Sequence, residues 1–291
     1  MIVRFCFDTS ALNQLHDDVA RDALITALLA GGPFWITSYN VLEAAKTKDV
    51  GRRHSLVRMM RRLADGKPPL SRPNTLVRAI ARAYFEAGLN GEPRFAANND
   101  RELEGLWVAL KEPELLDEEI RDEAQAWASE WEANYDAIAS GARDRFQSVF
   151  ANSPKDRPHT AAVTLRGFMR NDDKMFSRLV APIYEQETGK PLSRAEYDRM
   201  MEEPTWALYL GGYGYALHHR SVKTLRFGKT NNAGGIDLGQ AVYLRFCERF
   251  VTHDRPQYRA LRFLNRFSRA AKYEAEVLTY EAFRRRLLPF G

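Results

Sequence analysis

The first apolar run, Ile2 to Phe7, is almost uninterrupted and rich in β-formers, the pattern of a strand covered on both faces in a parallel sheet. It ends at Asp8-Thr9-Ser10. Helical spacing takes over from about Ala11 and again from Val19 to Ala30, with Leu24, Ile25, Leu28 and Leu29 expected inward. Gly31-Gly32-Pro33 then turns the chain into a short strand, Phe34 to Thr37, which completes a β-α-β unit. Ser38 is read as the cap of a helix from Tyr39 to about Lys48, with Val41, Leu42 and Ala45 toward the sheet and Glu43 pointing elsewhere.

From Arg52 to Arg82 an apolar face of Leu56, Val57, Met60 and Leu63 predicts helix, broken at Pro68-Pro69 and Pro73. Leu103, Leu106, Trp107 and Leu110 form one helical patch, and Ile120, Ala124, Trp127, Trp131 and Ile138 continue at helical spacing as packing residues. Further helices are expected over Met175 to Tyr184, over Arg194 to Met201 behind a Ser193/Glu196 capping box, and from Pro204 to about His218. Strand patterns then return. A helix opened by Asp237 carries Leu238, Ala241, Val242, Leu244 and Phe246 against a polar stripe of Arg245, Glu248 and Arg249. It leads into the strand Phe250 to Thr252, with Asp254 just after it. Glu276 to Tyr280 reads as a last strand at or near the sheet edge, before a short helix ending in Arg284-Arg285-Arg286. Residues 1–65 and 230–291 are therefore expected to fold together as one α/β core around a central, mostly parallel sheet. Residues 66–229 form a large all-helical insertion.

With 45% hydrophobic and 28% charged residues, the 291-residue chain has the composition of a globular protein. The net charge of +5 hides an asymmetry, because Asp100 to Asp136 is heavily acidic and its flanks are rich in arginine. Arg52, Arg53, Arg58, Arg61, Arg62 and Arg255 are candidate phosphate contacts. The acidic stretch Glu114 to Asp136 would repel phosphate, so it is expected away from any nucleic-acid path, unless it occupies that path as an autoinhibitor. Cys6 and Cys247 both lie in apolar contexts and read as buried thiols of a reducing compartment; no zinc spacing exists. The N-terminus lacks the apolar core of a signal peptide, so a cytoplasmic location is expected. Ala23 to Leu42 is uncharged and long enough to cross a bilayer, but Gly31-Gly32-Pro33 interrupts it, and no membrane association is expected.

The candidate chemistry lies in four acids. Asp8 and Asp254 directly follow apolar strands, while Glu43 and Asp237 are expected in the first turns of helices packed on the sheet. All four can converge on the carboxyl edge, where open α/β sheets bind ligands. Each alone has a bland role: closing a turn, pairing with Lys46, capping a helix, starting a loop. Together they need a counter-charge, and Mg²⁺ or Mn²⁺ accepts such oxygen ligands while keeping waters for chemistry.

The segments FDTSAL around Asp8, ITSYNVLEAA around Glu43, IDLGQAVYL around Asp237 and FVTHDRPQYRAL around Asp254 resemble, in order, the acidic positions of PIN-domain nucleases. The likeness spans roughly the first fifty and last fifty-five residues. It implies a Rossmann-like PIN core and a catalytic, metal-binding set of Asp8, Glu43, Asp237 and Asp254, with Thr9, Ser10 and Thr252 as hydroxyls behind it. It further implies an Mg²⁺- or Mn²⁺-dependent endonuclease acting on RNA without a covalent protein nucleophile, in a toxin-like or defence role. An antitoxin-like inhibitor protein and a homo-oligomer are conceivable partners. The interval between Glu43 and Asp237 is far longer than in compact members of that family, which makes the insertion a substrate-guiding lobe, an oligomerisation surface or a mimic of a partner protein. Two rivals stand beside this reading: a non-catalytic PIN-like module that binds RNA or protein, and a structure-specific DNA nuclease. His253 and His218-His219 are either substrate contacts or solvated loop residues.

Overall fold

The structure, a computed structural model, describes residues 3–98, 108, 111–130, 132–133, 179–218, 239–267 and 275–288. Four strands, β1 (Phe5–Phe7), β2 (Phe34–Trp35), β3 (Arg249–Thr252) and β4 (Glu276–Thr279), pair in the order β2-β1-β3-β4, all parallel. The register sets Phe5 beside Phe34 and Arg249, and Arg249 beside Glu276. The two ends of the chain thus build one sheet, as the strand patterns predict. Among the described residues the helices are α1 (Thr9–Asp17), α2 (Arg21–Gly31), α3 (Ser38–Ala45), α4 (Val50–Ala64), α5 (Pro73–Ala87), α6 (118–130), α7 (Ala181–Thr188), α8 (Arg194–Met200), α9 (Pro204–His218), α10 (Arg255–Phe267) and α11 (Tyr280–Leu287).

The strands are apolar on both sides because both sides are covered. Phe5, Phe7, Val251 and Leu278 enter one core with α1, α2, α4 and α11, while Cys6, Phe250 and Val277 enter a second core with α10 and a 3₁₀ segment, Gln240–Arg245. Both cysteines are buried and free. Each strand hands the chain to a helix capped by a side chain at or just beyond the strand's carboxyl end. Asp8 accepts from Ala11 N, Thr37 from Asn40 N, Asp254 from Gln257 N and Thr279 from Ala282 N. Four helix N-termini, with their partial positive charge, are therefore gathered at one edge of the sheet.

These caps move several expected boundaries. With Asp8 as cap, α1 starts at Thr9, ahead of Ala11. Thr37, in a reciprocal capping box with Asn40, takes the place expected for Ser38, which becomes the first helical residue. Glu43 consequently sits in the second turn of α3, not the first. Asp18 accepts from Ala20 N in the turn before α2, leaving Val19 outside that helix and 99% exposed, and Leu29 faces outward. The helix expected to run from Asp237 to Arg249 is, among the described residues, the 3₁₀ segment Gln240–Arg245. Pairing with Glu276 draws Arg249 into β3, and Glu248 bonds to Arg4. Asp237 itself lies outside the described residues, as do Trp107, Trp131, Ile138 and the start of the helix expected from Met175.

A further apolar cluster forms among the helices expected to belong to an insertion, where Ile80 of α5, Tyr184 of α7, Met200 of α8 and Trp206 of α9 are buried together. Helix α9 joins that cluster to the core, packing on the 3₁₀ segment and on α10. A Cβ added at Gly211 would lie 3.2 Å from Leu264, so the absence of a side chain there permits the close approach. Trp127 packs beside Tyr39, their rings 6.3 Å apart, as expected for a packing residue. No described helix is long and apolar enough to cross a membrane.

Candidate metal centre at the carboxyl edge

In the strand order β2-β1-β3-β4, the connections leave in opposite directions from β1 and β3, and such a switch point opens a crevice at the carboxyl ends. Asp8 follows β1 and Asp254 follows β3, so these two acids flank the crevice. Asp8 is 4% exposed. Its Oδ1 accepts from Ala11 N at 2.7 Å, its Oδ2 from Thr252 Oγ1 at 2.8 Å, and Ser10 Oγ lies 2.9 and 2.7 Å from the two oxygens. Ser10 Oγ also accepts from His253 N at 2.9 Å and Asp254 N at 3.1 Å, tying the turn after β1 to the turn after β3. All three hydroxyls singled out in the sequence lie at this edge: Ser10 and Thr252 touch Asp8, and Thr9 Oγ1 accepts from the buried Asn40 at 3.3 Å while lining the same pocket.

Burial pushes the Asp8 carboxyl up to about 6; its hydrogen bonds from Ala11, Ser10 and Thr252 oppose that rise and the charge of Asp254 adds to it. The local donors agree. Thr252 Oγ1 has one proton and two acceptor neighbours, Asp8 Oδ2 and, at 2.7 Å, Gln257 Oε1, while it already accepts from Asp254 N. A proton on Asp8 resolves the shortage, since Asp8 then donates to Thr252 and Thr252 to Gln257.

Asp8, Glu43 and Asp254 line one pocket of about 550 Å³. Glu43 pairs with Lys46 at 2.6 Å, as the i,i+3 spacing predicts, and Lys46 lines the pocket with it. Gln240, three positions after Asp237, contributes a wall; its Oε1 is buried without a hydrogen-bond partner among the described residues. Among the described residues no three His, Cys, Asp or Glu side chains sit close enough to grip one ion as they stand. The pocket brings three of the four predicted acids to one cavity, and the fourth is not described.

The acidic stretch does not lie away from this pocket. Gln125, Ala128 and Ser129 of α6, with the helical Glu132 one turn on, share one helical face and line the cavity. The segment is held there by the arginines expected to bind phosphate. Arg53, fully buried, donates to Leu116 O at 2.9 Å, Thr47 O at 2.7 Å and Glu118 Oε1 at 2.8 Å. Arg58 pairs with Glu114, and Arg61 donates to Lys111 O. Arg52 pairs with Asp17 at 2.7 Å and Arg62 with Asp22 at 3.2 Å. Of the six candidates, Arg255, exposed at the start of α10, makes neither an ion pair nor a side-chain hydrogen bond among the described residues. His253 is 3.1 Å from Glu281 and stacks edge-on to Tyr280. The His218 side chain and His219 lie outside the described residues.

Asn40, Gln257, Gln240 and the α6 face were not singled out by sequence reasoning. Asn40 and Gln257 carried a usable signal, since Thr37-x-x-Asn40 and Asp254-x-x-Gln257 are helix-start spacings of the capping-box kind. The α6 face carried none, because its place over the pocket is set by contacts more than sixty residues apart in sequence. Comparison with protein-family models, with curated proteins and with solved structures found no match to this chain.

Proposed function

We propose that this protein is a divalent-metal-dependent phosphodiesterase that cuts nucleic acid, RNA by preference, on a Rossmann-like PIN core carrying a helical insertion. The observation that supports this reading best is the meeting of Asp8, Glu43 and Asp254, distant in sequence, at one pocket on the switch point of a parallel sheet. The donor chemistry fits Mg²⁺ or Mn²⁺. Among the described residues Asp8 has no cationic partner and burial drives it toward its protonated form, Asp254 adds negative charge beside it, and Gln240 offers a carbonyl oxygen with no hydrogen-bond partner among the described residues. Asp8 and Asp254 would hold the ion, with Glu43 and the undescribed Asp237 completing the set. Bound there, a divalent cation supplies charge neutralisation at the scissile phosphate and a more acidic attacking water.

The chain's own groups do the rest. Ser10 and Thr252 fix the Asp8 carboxylate in one orientation, and the backbone N–H groups that Ser10 collects keep Asp254 beside it. Lys46 compensates Glu43 and can turn to the negative oxygens of a substrate in the same pocket. The α6 face lines the same pocket and would narrow the approach of a substrate to it.

A second reading, a non-catalytic nucleic-acid-binding module, is favoured by the Glu43–Lys46 pair, which satisfies that carboxylate without metal. Incubating labelled RNA, single-stranded DNA and duplex DNA with the full chain, in Mn²⁺ and in chelator, separates the two. Mn²⁺-dependent cleavage of RNA, abolished by Asp254→Asn, supports the enzyme. Binding without cleavage under any metal supports the module.

A further inference from the structure

Helix α10 begins at the pocket, where Asp254 caps it, and runs along the sheet with Gln257, Ala260, Leu261 and Leu264 buried. Its opposite face carries Arg255, Arg259 and Arg262, all exposed. Their i, i+4, i+7 spacing places them within about 60° of arc and about 10 Å along the axis. Among the described residues no carboxylate is within ion-pairing distance of any of the three; Glu281, the acid whose charge Arg255 feels, is already paired with His253. Arg58, Arg62 and Arg286, also exposed, each meet an acid, whereas Arg61 and Arg285 donate to backbone carbonyls. Arg262 donates to Tyr258 Oη at 2.8 Å and lies 5.4 Å from that ring's centre, so an aromatic face adjoins the charged row.

We infer that this face of α10 is a phosphate track that leads single-stranded nucleic acid to the Asp8–Asp254 pocket. The inference rests on the nucleic-acid reading of that pocket and adds the path of the strand. Three guanidiniums in a row, none within ion-pairing distance of a carboxylate among the described residues, suit a polyanion, and the row ends at a carboxylate of the proposed site. Single strands are favoured over duplex because an aromatic beside arginine suits an unstacked base. The sequence named Arg255 alone; Arg259 and Arg262 belong to the track because α10 turns them to the same side.

The test is fluorescence anisotropy with a labelled single-stranded RNA oligomer in chelator, so that binding is read without cleavage. Replacing Arg255, Arg259 and Arg262 together by Gln should weaken binding at least tenfold near 0.1 M salt. It should also reduce the slope of log affinity against log salt by about 2, at about 0.7 per phosphate contact on a single strand. Replacement by Lys should keep most of the slope, Arg259→Gln alone should remove about a third of the loss, and Arg58→Gln should change little. An unchanged slope in the triple Gln variant, or no binding by the wild-type chain, overturns the track. Competition by poly-glutamate as effective as by RNA also overturns it, in favour of an acidic protein partner. Absence of cleavage in Mn²⁺ with the salt slope intact overturns the catalytic reading and leaves the track standing.

Discussion

Asp8→Asn should stabilise the metal-free protein at neutral pH and lose that advantage in acid. In the folded chain burial raises the Asp8 carboxyl from 3.8 to about 6, so between those values the native state holds a proton that the unfolded state has released. Stability from this group is therefore fully present below pH 3.8 and is lost as pH rises through about 6. At 1.36 kcal/mol per pH unit, the ionised carboxylate costs about 3 kcal/mol at pH 7.5. Asparagine removes that cost, keeps an oxygen for Ala11 N and can donate to Thr252 Oγ1 as the protonated acid does, but its amide adds a third donor at Ser10 Oγ. That crowding costs about 1 kcal/mol. The expected net gain is about 1–2 kcal/mol, or a melting temperature higher by roughly 2–6 °C for a chain of this size. The assay is a thermal melt in chelator at pH 7.5 and pH 4. At pH 4 the wild-type carboxyl is itself largely protonated, and the variant should fall slightly below it. A variant destabilised equally at both pH values would show that Asp8 acts only as a helix cap and would refute the reasoning.

Because Asp8 must lose its proton to meet a cation, Mn²⁺ affinity measured by calorimetry should fall toward tenfold per pH unit below about 6. A flat profile from pH 5 to 7 would place the ion elsewhere. Arg53→Met should cost about 2–4 kcal/mol in chemical denaturation, since it strips a buried charge-assisted clamp from Leu116 O, Thr47 O and Glu118; a loss below 1 kcal/mol would show that Leu116 and Ala124 dock the acidic segment unaided. Glu132→Gln removes a negative charge from the pocket rim and should lower KM for RNA several-fold with kcat little changed. A fall in kcat instead would make Glu132 part of the catalytic set.

What the sequence revealed, and what it hid, follows from how local each determinant is. The apolar runs around Phe5, Phe34, Phe250 and Val277 announce a buried parallel sheet because both faces must be covered, and Asp8 and Asp254 stand out because they end those runs. The exchange of Ser38 for Thr37 as cap was hidden, since both residues can cap and only the reciprocal bond with Asn40 decides between them. The fate of the arginines was also hidden. Arginine on α4 reads as a solvated or phosphate-binding face, yet Arg53 is buried by a segment joined to it only in the folded chain. Conversely, Arg259 and Arg262 gained meaning from the place where α10 begins. The acidic stretch was legible as a separate surface, but its position at the pocket depends on long-range contacts with α4, which no local pattern encodes.

The most direct test of the central claim is anomalous scattering at the manganese edge from crystals of the full chain soaked in Mn²⁺ at pH 7.5. The account predicts a peak inside the pocket bounded by Asp8, Glu43 and Asp254, with Asp8 and Asp254 oxygens in the coordination shell, and its disappearance in Asp8→Asn crystals. Manganese found only at surface carboxylates such as Glu114 or Asp122, with the pocket bare, would contradict it.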